Sequence, residues 1–210
     1  MPSIKCIEVG PFQVNCYLIW GAQRQALVLD PGADAAMLQE ALAAKQLTVA
    51  AYLLTHGHAD HLSALAALQR HHPAPYLMHA ADYRWAFAAT NQIPPYYAVP
   101  QRPPTAAHLI QDDTLWSAAD LTCQIITTPG HSPGGLCYHF ATAAILFTGD
   151  TLFRGSVGRT DLPGGNGRLL NQSLKKLRRL PPATRLYPGH GPSSTLATEL
   201  RSNPFLATED

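Results

Sequence analysis

Hydrophobic positions along the chain recur with two periods, one in two and one in roughly 3.6 residues, and the switches between them mark its elements. Val14-Asn15-Cys16-Tyr17-Leu18-Ile19-Trp20 and Ala26-Leu27-Val28-Leu29 are β-rich runs split by Gly21-Ala22, so residues 4–30 are predicted to be strands. Asp30-Pro31-Gly32 closes the second run with turn chemistry. Asp34 then reads as a helix N-cap, with Leu38, Ala41, Leu42 and Lys45 following at helical spacing. A strand over Ala51–Leu54 runs into His56. The helix predicted to begin near Asp60 or His61 carries Leu62, Leu65 and Leu68 until Pro73 stops it. A short strand over Pro75–Met78 and a helix over Ala80–Ala89 follow.

Residues 91–107 hold five prolines and the pair Tyr96-Tyr97, which predicts irregular backbone. Strand patterns resume at Leu121–Thr127, Gly135–Phe140 and Ala144–Thr148. Leu170, Leu174 and Leu177 line one face of an amphipathic helix over Leu169–Leu180, with Lys175, Lys176, Arg178 and Arg179 on its solvated face. Thr184–Tyr187 is a last short strand, and the tail is expected to hold one helical turn or two. Strands dominate both halves with helices after each group, which places helices outside packed sheets. Neither a repeat nor a linker divides the sequence, so residues 1–210 are expected to form one domain.

Composition narrows the function classes. Fifteen basic residues nearly cancel fourteen acidic ones, so neither nucleic acid nor an anionic membrane is an expected partner. Charged residues are only 14% against 46% hydrophobic, the balance of a compact enzyme rather than a disordered chain. Cys6, Cys16, Cys123 and Cys137 form no CxxC pair and read as reduced, mostly buried thiols. The N-terminus lacks a cationic start with an apolar run behind it, and no stretch nears the roughly 18 apolar residues of a membrane helix. A cytoplasmic address is expected.

The chemistry concentrates in Thr55-His56-Gly57-His58-Ala59-Asp60-His61. Two histidines one residue apart at a strand end can point to the same side, with Gly57 letting the backbone turn between them. Asp60 and His61 then reach a second point nearby. Imidazole and carboxylate suit zinc, iron and manganese. Three more apolar strands end in glycine followed at once by a metal-ligand type: Thr128-Pro129-Gly130-His131, Phe147-Thr148-Gly149-Asp150 and Tyr187-Pro188-Gly189-His190. Ligands offered from strand ends converge on one edge of the sheets. His71, His72, His79, His108 and His139 have no such pairing and read as structural or surface residues.

With Asp30, the His56–His61 cluster, His131, Asp150 and His190 in that order, the sequence resembles the metallo-β-lactamase superfamily over nearly its whole length. The fold this implies is α+β, an αββα four-layer sandwich with metals at the sheet edge. Within the superfamily it is most similar to the glyoxalase II-like hydrolases (hydroxyacylglutathione hydrolases). Residues 128–134, Phe147–Phe153 and Pro188–Pro192 carry that likeness. Gly158-Arg159-Thr160-Asp161 and Asn203-Pro204-Phe205-Leu206 narrow it to the short bacterial type.

The resemblance implies two divalent metal ions, zinc foremost, with iron or manganese as alternatives. His56, His58 and His131 would hold the first, Asp60, His61 and His190 the second, and Asp150 would bridge them, making Asp60 and Asp150 the catalytic carboxylates. Asp30 is expected to support the site rather than to ligate. Arg154 and Arg159 follow Asp150 in a glycine-rich loop, and Tyr96 and Tyr97 lie in a loop of functional length. All four are candidate substrate contacts.

Two divalent cations against two carboxylates and one bound hydroxide leave a net positive site, suited to a polarisable carbonyl. The implied activity is hydrolysis of an acyl-thioester such as S-lactoylglutathione by a bridging metal hydroxide. Full-length glyoxalase II continues into a helical glutathione-binding domain, and with 20 residues after His190 that domain is expected to be absent. A persulfide dioxygenase using one iron, a lactonase or esterase on the same metals, and a non-catalytic metal module are the alternatives. An aspartate at position 150 disfavours true β-lactamase activity.

Overall fold

A computed structural model describes residues 1–206. Its first sheet takes six strands in sequence order: β1 (Ser3–Val9), β2 (Val14–Trp20), β3 (Gln25–Leu29), β4 (Thr48–Leu53), β5 (Tyr76–His79) and β6 (Ala107–Ile110). The first three are antiparallel neighbours, whereas β3 to β6 run parallel. The second sheet begins with β7 (Thr114–Ala118), β8 (Leu121–Thr127), β9 (Leu136–Phe140) and β10 (Ile145–Gly149). A small hairpin of β11 (Leu152–Phe153) and β12 (Ser156–Val157) interrupts it before β13 (Arg185–Pro188) and β14 (Ser194–Thr195) complete the order β14-β13-β10-β9-β8-β7. The helices are α1 (Ala35–Ala44), α2 (Ala59–Leu62), α3 (Leu65–His71), α4 (Ala80–Tyr83), α5 (Gly167–Leu177) and α6 (Leu196–Ser202).

Side-chain alternation builds the layers. On β2, Tyr17 and Ile19 face β8, β9 and β10 through Ile125, Tyr138 and Phe147, forming the core between the sheets. Their neighbours Cys16 and Leu18 point the other way, onto Leu38 and Leu42 of α1 and Leu65 and Leu68 of α3. On the second sheet, Ile126, Cys137 and Leu146 turn outward against Leu170, Leu174 and Leu177 of α5. Each fully buried leucine contributes about 1.5–3 kcal/mol. The result is the expected helix–sheet–sheet–helix sandwich, and no helix among the described residues is long and apolar enough to cross a membrane.

At one edge the sheets are stapled together by polar groups. Asn15 donates through its side-chain amide to the carbonyls of Pro188 (3.0 Å) and Gly191 (2.8 Å), and the Tyr17 hydroxyl donates to Pro188 (2.7 Å). The Tyr138 hydroxyl donates to Leu54 (2.7 Å), and the Leu136 N–H donates to Thr55 (2.7 Å). These bonds fix the loops that carry the ligand-type residues.

Three local expectations differ from the structure. Asp34 is left-handed (φ 52°) and its side chain makes no cap on α1; its carboxylate instead accepts the Gly10 N–H at 2.7 Å. The helix expected over Ala80–Ala89 stops after one turn, α4, and the Asn91 amide takes the Ala86 carbonyl at 2.6 Å. The helix after His58 breaks at Ser63-Ala64 into α2 and α3, with the Ala64 N–H donating to Pro31.

Candidate metal centre

Every ligand-type residue lies just past a strand end or in the first turn of a helix. His56 and His58 follow β4, Asp60 and His61 sit in α2, His131 follows β8, Asp150 follows β10, and His190 follows β13. The parallel pairs β3/β4 and β10/β13 make this the carboxyl edge of both sheets, where α/β crevices bind ligands. Glycine serves here by absence of bulk. A Cβ on Gly189 would stand 2.3 Å from Asp150 Oδ1 and 2.8 Å from the His61 ring. Gly57 likewise gives room, since a Cβ there would meet Asp82 at 3.0 Å and Trp85 at 3.2 Å. Its backbone has no positive φ, so space rather than a special turn explains it.

The seven residues converge. The His56 ring centroid lies 4.8 Å from that of His58, 4.1 Å from His61 and 4.9 Å from His131. His58 Nδ1 faces His131 Nε2 at 2.9 Å, and His61 Nε2 faces His190 Nε2 at 3.3 Å. Asp60 Oδ2 stands 3.6 Å from His190 Nε2. Asp150 lies between, 3.5 Å from His61 Nε2 and 3.6 Å from Nε2 of both His131 and His190. Three triplets place one ligand atom each within 4.8 Å of the others: His56, His58 and His131; His56, His61 and Asp150; Asp60, His61 and His190.

Surrounding groups decide which way the imidazoles point their lone pairs. His131 Nδ1 donates to the Arg159 carbonyl (2.8 Å), His190 Nδ1 to the Phe12 carbonyl (3.0 Å), and His61 Nδ1 to Asp30 Oδ2 (3.0 Å). A carbonyl or carboxylate can only accept, so each neutral ring presents an unprotonated Nε2 to the centre. The His56 Nε2 and Asp150 Oδ1 are buried and have no hydrogen-bond partner among the described residues. A largely buried cluster of lone pairs facing one another is unstable unless a cation sits among them, and the residues therefore fit a metal.

Without a metal ion a proton competes for the same place, so the neutral ring of His61 is its metal-binding form. Burial opposes charge on His61, yet Asp150, Asp60 and Asp30 outweigh it and raise its pKa to about 10. Burial, then the neighbouring His131, lower His58 to about 4. Asp60 overcomes its own burial through His61 and His190 and falls to about 2, remaining ionised.

Asp30 is fully buried and touches the site through others, accepting from Thr55 N–H (2.7 Å) and Thr55 Oγ1 (2.6 Å) besides His61. Its φ of 49° is a conformation non-glycine residues rarely adopt, held here by those three bonds. The other candidates are spread around the rim. Tyr96 is exposed and Tyr97 buried; both pack on Phe12, whose carbonyl holds His190. Arg154 is exposed at the tip of the β11–β12 hairpin, whose Phe153 meets the His190 ring edge-on at 6.3 Å. The Arg159 side chain points to solvent in a bidentate pair with Asp161 (2.7 Å), so its carbonyl, not its guanidinium, reaches the cluster.

Sequence reasoning missed several contributors. Trp85 lies 5.3 Å from His58. Buried Glu199 accepts from Gly155 N–H (2.7 Å), while the Asn203 amide reaches Phe153 and Ser156, so α6 braces the hairpin beside His190. Asn203 belongs to a noted stretch, but nothing in its neighbours reveals this role.

The comparisons with known proteins agree with this fold. The family model described as the metallo-beta-lactamase superfamily matches residues 9–190. A Bacillus subtilis protein named probable metallo-hydrolase YqgX is 37% identical over 95% of each chain. The Haemophilus influenzae hydroxyacylglutathione hydrolase GloC is 32% identical over 97% of this chain and 98% of its own. Among solved structures, the BLEG-1 B3 metallo-beta-lactamase superposes with a TM-score of 0.91 at 36% identity, over 98% of this chain and 100% of that one. TTHA1623 in a di-iron-bound form gives 0.84 at 37% identity, over 96% and 100%. Fold, ligand-type cluster and family match coincide: the chain belongs to the metallo-β-lactamase superfamily.

Proposed function

We propose that this protein is a metal-dependent hydrolase of acyl-thioesters, acting on S-lactoylglutathione or a related thioester. His56, His58 and His131 would hold one divalent ion, Asp60, His61 and His190 a second. The observation that carries the reading is Asp150, whose carboxylate lies within 3.5–3.6 Å of imidazole nitrogens from both groups and so can serve two ions at once. The donor set suits zinc, iron or manganese, and a di-iron relative keeps iron in play.

When bound, such a pair of ions polarises a carbonyl and lowers the pKa of water toward about 7. The chain's own work is positional. Asp30, Arg159 and Phe12 keep three imidazoles in one tautomer. Asp60 and Asp150 supply the negative charge that retains two cations. The exposed Tyr96 ring and the exposed Arg154 side chain would meet substrate, with Tyr97 supporting Tyr96 from within and Arg159 contributing its backbone carbonyl to His131.

The seven ligand-type side chains all turn toward the cluster, so a leaving group that departs as an anion suits the site. A thiolate, with a free-cysteine pKa of ~8.5, does so far more readily than an amine. The relative named hydroxyacylglutathione hydrolase, matched over almost its whole length, supports the same substrate class. Likeness to a B3 metallo-beta-lactamase favours β-lactam hydrolysis as the second reading.

A panel of S-lactoylglutathione, a small lactoyl thioester, a lactone, a chromogenic β-lactam and glutathione persulfide separates these. Thioester kcat/KM is expected to exceed that for the lactone and β-lactam by at least roughly 100-fold, with no oxygen uptake on persulfide. Faster β-lactam turnover, or persulfide-dependent oxygen consumption, would overturn the thioesterase reading.

A further inference from the structure

Asp82, on the single turn of α4, is fully buried although it belongs to none of the ligand triplets. Its carboxylate accepts three hydrogen bonds: from Gly57 N–H (2.8 Å) and the Ser132 hydroxyl (2.7 Å) to Oδ2, and from Gly134 N–H (2.6 Å) to Oδ1. Gly57 separates His56 from His58, while Ser132 directly follows His131. One carboxylate therefore joins the histidine-bearing turn of the first sheet to the histidine-bearing loop of the second. On the opposite side of the same glycine, the Asn91 amide donates to the Gly57 carbonyl (2.8 Å) and the Ala86 carbonyl (2.6 Å). Both peptide groups flanking Gly57 are tied, one by each residue.

We infer that Asp82, with Asn91 behind it, is the positioning residue that sets the mutual spacing of His56, His58 and His131. It thereby sets the affinity of the metal position those three would form. The inference rests on the two-ion reading above. Metal–ligand distances tolerate only about 0.2 Å, whereas the three histidines come from loops of two different sheets. Charge-assisted bonds to a buried carboxylate are strong enough to hold such loops in register. Asp82 makes no hydrogen bond to Asp60, His61 or His190. The second position is held by Asp30 and the Phe12 carbonyl, Asp30 also reaching His56 through the Thr55 hydroxyl, which meets His56 Nδ1 at 3.0 Å.

Asp82→Asn tests this without changing volume. Whichever way the amide turns, its NH₂ faces the N–H of Gly57 or of Gly134, leaving a buried donor without an acceptor. Zinc binding is measured by competition with a chromophoric chelator in two backgrounds. In His190→Ala, which keeps the His56/His58/His131 position, Asp82→Asn is expected to weaken zinc binding about 10–100-fold. In His131→Ala, which keeps the other position, it is expected to change binding by less than about threefold. Ser132→Ala, which spares both backbone donors, is expected to have a smaller effect than Asp82→Asn. Circular dichroism checks the fold, and if Asp82→Asn does not fold, Asn91→Ala carries the same comparison. Equal weakening in both backgrounds, or none in either, would overturn the inference. Wild-type protein binding fewer than two equivalents would sink the two-ion reading itself, and the inference with it.

Discussion

Asp150→Ala is expected to lower kcat/KM for thioester hydrolysis by at least about 100-fold, the scale of losing a major electrostatic contributor. The reason lies in the position of its carboxylate, within 3.6 Å of three imidazole nitrogens and with one buried oxygen that makes no hydrogen bond among the described residues. Removing it would take away negative charge that the two ions would share, so zinc content is expected to fall along with turnover. His139→Ala is the contrasting variant. That histidine is buried on β9, lies outside the ligand triplets, and its loss is expected to leave zinc content unchanged. Steady-state kinetics with metal analysis on both variants checks the pair of outcomes. Full activity in Asp150→Ala beside an emptied site in His139→Ala would reverse the assignment.

Asp30→Ala is expected to weaken metal binding about 10–100-fold although Asp30 faces no lone-pair cluster itself. Its carboxylate fixes His61 with Nε2 inward and satisfies both the N–H and the hydroxyl of buried Thr55. Alanine frees the imidazole to rotate and strands a buried N–H, costing about 1–3 kcal/mol of stability. Chelator competition gives the first quantity and denaturant unfolding of the metal-free protein the second. Wild-type affinity in a folded Asp30→Ala protein would show that His61 needs no orienting partner.

How much of this was legible in the sequence depends on the distance over which each feature is defined. The ligand cluster was legible because chemistry and backbone punctuation coincide: four candidates fall within six residues, and three others directly follow glycine at strand ends. The layers were legible because alternation along β2 divides Tyr17 and Ile19 from Cys16 and Leu18, and two buried faces demand two partners. Asp34 misled because its carboxylate found the distant Gly10 amide instead of its own helix. Strands β6 and β7 are short sheet edges with largely exposed positions, so little hydrophobic pattern announces them. The work of Phe12 and Arg159 is done by backbone carbonyls and leaves no trace in side-chain identity. Asp82 and Glu199 are defined by partners 44 to 52 residues away in the chain, such as Gly155, Ser132 and Gly134, which a single sequence does not connect.

On this account seven residues carried by both sheets would form one two-ion site bridged by Asp150. Anomalous X-ray scattering at the zinc edge, on crystals of the zinc-loaded protein, tests it most directly. Two peaks about 3.5–4 Å apart are expected, one within bonding distance of His56, His58 and His131, the other of Asp60, His61 and His190, with Asp150 touching both. A single peak, or a second ion bound away from Asp60, His61 and His190, would contradict the claim.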